Sequence, residues 1–179
     1  SGEITVKGKM LKSKSGIIYL YEVLGNETFI LDSTNVKSGS FQFKTKNYTT
    51  GFYKLAFNNE TNDVEIVLNP KEGNTLNINF NEYRISKNYN ILNSKDNELK
   101  KLFNVKKSEI DRKINKTKRD ASKTVEMRKK EVQNLNIEMD NYSNQLSNNY
   151  KGTYTAMVLS KLKSPNENNS EVFFNDLDF

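Results

Sequence analysis

Up to Ile91 the chain alternates apolar and polar positions in short runs. Ile4, Val6 and Met10 form the first run, and Ile17 to Leu24 forms a second, rich in aromatics. Gly25-Asn26 turns the chain into Thr28 to Leu31. Phe41 and Phe43 follow Gly39, and Tyr53, Leu55 and Phe57 follow Gly51. Val64, Ile66 and Leu68 precede Pro70, and Leu76, Ile78 and Phe80 follow Gly73. Tyr83 and Ile85, then Tyr89 and Ile91, close the set. A period of two places each run's apolar residues on one face of a strand. Short strands at even spacing, divided by Gly, Pro and Asn, argue for an antiparallel sandwich or open barrel, and an antiparallel β-sandwich of about eight strands over residues 1–92 is predicted.

Beyond Ser94 the period changes. Leu99, Phe103, Ile110, Ile114, Ala121, Val125, Val132, Leu135, Met139, Tyr142 and Leu146 recur at helical spacing. Ser94 or Asp96 can cap the start. From Ala121 the pattern is a heptad. Val125, Val132, Leu135, Met139, Tyr142 and Leu146 form a candidate helix-pairing seam, interrupted by Arg128. No Gly or Pro occurs between Asn74 and Lys151. One long helix over 94–148 is therefore predicted, with a hairpin broken near Asp120 to Ser122 as the alternative. A straight helix of that length would run about 75 Å, farther than a small sandwich can cover, so the seam suggests a homodimer. A short helix from Thr153 to Lys163, stopped by Pro165, completes an α+β chain. Its parts are a β domain over 1–92, a basic helical segment over 93–149, and a short helix with a connector over 150–179.

Composition narrows the chemistry. The chain has no Cys and no His, so it offers no thiol, imidazole base or ordinary zinc site. The carboxylates Asp32, Asp63, Glu65 and Glu82 read as turn and strand-end residues rather than a catalytic pair. Ser160 and Lys163 match Ser-x-x-Lys by chance, without a companion motif. The polar run Asn58 to Asp63 lacks the Gly and the closing Glu of a calcium loop. No Gly-rich phosphate loop is present. No catalytic residue, cofactor or metal is expected.

The net charge is concentrated. Residues 106–131 hold eleven Lys/Arg and five Asp/Glu, so 11 − 5 = +6, the net charge of the whole chain. Such a helix could follow phosphates, or meet an acidic protein partner or a membrane surface. Its acids are interspersed, however, and no aromatic interleaves to stack on bases. A solvated face is the simpler reading, and nucleic acid is disfavoured as a partner.

Four motifs in the β part belong together: Gly16-Ile-Ile-Tyr-Leu20, Ile30-Leu-Asp-Ser-Thr34, Gly39-Ser-Phe-Gln-Phe43 and Gly51-Phe-Tyr53. They resemble the N-terminal domain of unknown function that precedes thioredoxin-like domains in cell-envelope proteins of certain Gram-negative bacteria. The segment Tyr150 to Leu159 is similar to the short helix before the redox domain of that family, and Phe173 to Phe179 to its connector. The Ser1-Gly2 start, without Met, reads as a scar left by cleavage, and the apolar tail as a cut inside a longer protein. The resemblance implies a non-catalytic accessory domain of an envelope thiol–disulfide oxidoreductase, periplasmic or anchored to the outer membrane. Its partner would be its own C-terminal thioredoxin-like domain, and its role dimerisation or positioning. The alternative is a stand-alone extracytoplasmic binding module for a glycan or peptide. That reading expects Tyr19, Tyr21, Phe52 and Tyr53 to supply an exposed aromatic patch.

Overall fold

The structure is a computed structural model that describes residues 2–12, 15–81, 83–86 and 88–161. Two compact units divide the chain, residues 1–97 and 98–179.

The first unit is one eight-stranded sheet. Its strands are β1 (Gly2–Met10), β2 (Ser15–Leu24), β3 (Glu27–Lys37), β4 (Ser40–Tyr48), β5 (Gly51–Phe57), β6 (Asp63–Leu68), β7 (Thr75–Phe80) and β8 (Tyr89–Ile91). They lie in the order β6-β5-β2-β3-β4-β1-β7-β8. The expectation of an all-antiparallel sandwich needs correction: β1 runs parallel to β7, and the mixed sheet curls into a half-barrel, nearer to the open-barrel alternative. Strand alternation reports which face is buried; it is silent on which strand pairs with which. The inner face matches the predicted periods. Val6, Ile18, Leu20, Leu55, Ile66, Leu68, Ile78 and Phe80 are each 0% exposed. Tyr83 and Ile85, read as a strand, sit in a turn segment, from which Ile85 still enters the core. Gly8 lies where β1 crosses the core. A Cβ there would land on the Ile78 carbonyl oxygen and 2.9 Å from the Phe41 ring.

Asparagine side chains complete the sheet where the ladder ends. A primary amide presents one acceptor and two donors, much as a peptide group does. Asn97 accepts from the Val67 N–H at 2.8 Å and donates to the Val67 carbonyl at 2.8 Å, so it stands in for a neighbouring strand along β6. Asn93 does the same for β7, accepting from Asn77 N–H and donating to the Thr75 carbonyl. Asn62 accepts from Ile85 N–H and donates to the carbonyls of Phe57 and Tyr83.

The helices are α1 (Lys95–Lys118), α2 (Val125–Asn149) and α3 (Tyr154–Lys161). The Ser94 hydroxyl caps α1 by accepting from the Asn97 N–H, and Glu72 accepts from the Asp96 N–H. The predicted single long helix is corrected: it breaks at residues 119–124. The break needs neither Gly nor Pro. Asp120 accepts from both the N–H and the hydroxyl of Ser122, and Thr124 caps α2 by accepting from the Met127 N–H. Within the second unit α1 and α2 run antiparallel, joined by Lys106–Glu138 at 2.6 Å and Thr117–Glu131 at 3.0 Å. Leu99, Phe103, Ile110, Met139, Leu146, Ala156 and Leu159 form its core. Among the described residues no helix is long and apolar enough to cross a membrane. The predicted connector, including Phe173 to Phe179 and Lys163, lies outside the described residues.

Candidate functional site

The sheet has one interruption. β3 pairs with β2 along its whole length, yet with β4 only at Lys37↔Ser40. The turn between β3 and β4 is tight, with Ser38 and Gly39 both at positive φ (50° and 76°). The strands then diverge, β3 following β2 and β4 following β1. A ladder uses the backbone groups of alternate residues on each side. About half of the N–H and C=O groups of residues 27–36 therefore point into the opening, without a second strand among the described residues.

The far half of β3 is exposed on both faces. Every residue from Glu27 to Leu31 is exposed, including Phe29 (48%), Ile30 (61%) and Leu31 (42%). Leu24, at the end of β2, is 55% exposed. Four large exposed apolar side chains, spread over both faces of one hairpin arm, are the kind of feature that marks an interaction surface. A bulge at Leu31 separates this arm from the rest of β3: Leu20 faces Asp32, while Tyr21 faces Ile30. Next to the bulge, Asp32 accepts from the Ser33 N–H at 2.7 Å. Bulges and local carboxylates are common edge protections against uncontrolled pairing. Here they guard the middle of the strand and leave the arm uncovered.

Where β3 and β4 part, an open basin of about 710 Å³ forms across β1, β3, β4 and β7. Lys7, Lys9 and Lys37 line it together with Asn35, Gln42, Asn77 and Asn79, and no carboxylate does. The register explains the grouping, since Gln42, Lys7 and Asn77 stand side by side across three strands. Such a surface suits an anionic or amide-rich ligand.

The residues singled out from sequence are scattered. Asp63 pairs with Lys54 at 2.6 Å and Asp32 with its own neighbour, so the carboxylates do not assemble. Glu82 lies outside the described residues. Ser160 donates to the Met157 carbonyl. The expected aromatic patch is absent: Tyr53 is 1% exposed, Tyr21 5%, and Tyr19 and Phe52 are half-buried. Burial and the Glu60 carboxylate push the Tyr21 hydroxyl's pKa up. The seam divides. Val125 is exposed in the first turn of α2, whereas Met139 and Leu146 enter the helical core and Leu135 and Tyr142 pack against it. Val132 is buried as well. The seam's apolar partners are thus in the same chain. Sequence reading missed the Phe29–Leu31 arm as a surface. Its signal was three consecutive apolar residues, which a strand with one solvated face does not carry.

A family model matches residues 4–100, more than half of the chain, and spans the whole sheet with the start of α1. The chain belongs to the family described as a domain of unknown function, DUF4369. No curated protein matches it. The arm, the open β3 edge and the basin all lie inside the matched DUF4369 segment, and the basic end of the helical hairpin lies outside it.

Proposed function

We propose that this DUF4369 chain is a non-catalytic accessory module of a cell-envelope protein carrying a thioredoxin-like domain, and that it holds an extended polypeptide for that domain. The observation that carries the reading is the β3 arm, which offers an open backbone edge and three consecutive exposed apolar side chains. Strand addition draws affinity from main-chain hydrogen bonds and specificity from the flanking side chains. The lysines of the adjoining basin favour an acidic segment. Positioning is preferred to dimerisation because α1 and α3 already cover most of the seam. Peptide is preferred to glycan because the aromatic platform expected for sugars is buried.

Two measurements test this. The gene is read past Phe179. A frame entering a thioredoxin-like segment with Cys-x-x-Cys supports the accessory role, and a stop within a few codons overturns it. A photo-reactive residue is then placed at Ile30 in the full protein, with another at exposed Lys44 as control. Adducts with a polypeptide segment from position 30 alone support the arm as the docking edge; equal adducts from both positions remove that assignment.

A further inference from the structure

We infer that the tip of the α1–α2 hairpin is a docking surface for anionic phospholipid. Folding the basic stretch back on itself turns a linear charge run into a compact end, where the C-terminus of α1 meets the N-terminus of α2. Most of its carboxylates are already paired there. Glu109 binds Lys113 and Lys106, Asp111 binds Lys107, and Asp120 and Glu131 both bind Lys123. Lys116, Lys118, Arg119, Lys129 and Lys130 have no carboxylate partner among the described residues. The tip therefore presents uncompensated cations.

Two further features select lipid over other polyanions. Val125 (51% exposed) and Met127 (55%) stand among those cations in the first turn of α2, with no apolar cover. Exposed apolar side chains interspersed with Lys and Arg, here with the single acid Glu126 between them, suit the boundary between headgroups and acyl chains. The tip also lacks aromatics to stack on bases. Each basic residue close to an anionic membrane strengthens binding about fivefold.

The test is co-sedimentation of the full chain with vesicles of neutral phosphatidylcholine, or with a ~30% admixture of phosphatidylglycerol, the anionic content being on the order that makes polybasic binding measurable. Binding is expected only to the anionic vesicles and is expected to weaken with salt. Lys129→Gln/Lys130→Gln should lower the partition coefficient about twenty-five-fold, the product of two fivefold factors. Met127→Ser should lower it at unchanged charge. Lys44→Gln/Lys46→Gln, on β4, should matter much less. Far-UV circular dichroism and the melting temperature confirm that each variant folds. Equal binding to both vesicle types, an equal loss in the β4 variant, or binding to duplex DNA without binding to vesicles would each overturn the inference.

Discussion

Replacing Asn97 by Ala tests whether side-chain amides hold the first unit together. The Asn97 amide satisfies both the N–H and the C=O of Val67, each at 2.8 Å, and it also donates to the Ser94 hydroxyl. Val67 is 0% exposed and Asn97 5% exposed. Removing the amide leaves two buried backbone groups without partners, and each orphan costs about 1–3 kcal/mol. The expected loss is about 2–6 kcal/mol, a large share of the roughly 5–15 kcal/mol that holds a domain together. A water entering the vacated space would bring the loss to the lower end. Asn97→Asp separates the two bonds. Its carboxylate still accepts from the Val67 N–H but faces the Val67 carbonyl with no proton to donate, so it should lie between wild type and Ala at acidic pH and approach Ala at neutral pH. Urea unfolding followed by far-UV circular dichroism and tyrosine fluorescence reads the difference. A loss under 1 kcal/mol for Asn97→Ala, with an unchanged slope, would refute the argument that this side chain serves as β6's missing neighbour.

Gly8→Ala places a methyl against the Ile78 carbonyl and the Phe41 ring. It should destabilise by about 3 kcal/mol or more, visible as a fall in melting temperature or failure to accumulate soluble protein. Met139→Ala should cost about 2–5 kcal/mol by emptying the helical core. Exposed Val125→Ala should stay within about 0.5 kcal/mol, and neither change should make the melting temperature depend on protein concentration. The hairpin should also loosen in acid. The hydrogen bond from Lys113 holds Glu109 below the usual carboxylate range, that from Lys123 does so for Glu131, and those from Ser122 do so for Asp120. A depressed carboxyl stabilises the fold above its unfolded value of about 4 and loses that contribution as pH falls through its folded value. The helical melting temperature should therefore drop between about pH 5 and pH 2; a flat profile would contradict the ion-pair assignment.

The strands were legible because burial on one face imposes a period of two, as Tyr53, Leu55 and Phe57 illustrate. The parallel pairing of β1 with β7 was not, because each strand's pattern is the same whichever neighbour it takes. The seam was legible as a buried stripe, but a stripe does not name its partner, and a fold-back supplies one as well as a second chain does. Arg128 shows what was misread. As a heptad residue it is a flaw; in the structure its guanidinium donates to the Asp120 carbonyl at 3.0 Å and helps close the turn. The docking arm was visible only as a break in alternation at Phe29-Ile30-Leu31. The basin was invisible, because its lysines come from two separate strands, β1 and β3, that only the register brings together.

The position of β1 has a consequence for synthesis. Strand β1 leaves the ribosome before either of its partners, β4 and β7, and β7 ends at Phe80. Strands β2 and β3 can form their hairpin early, while β1 waits for more than sixty further residues before its second neighbour exists. At about 5–20 residues per second, that wait is several seconds. During it the edge of β1 that β7 will take stays open, as does the apolar arm of β3 on the other side of β4. The nascent chain is thus most vulnerable to mispairing before its seventh strand emerges, and a holdase should act during that interval.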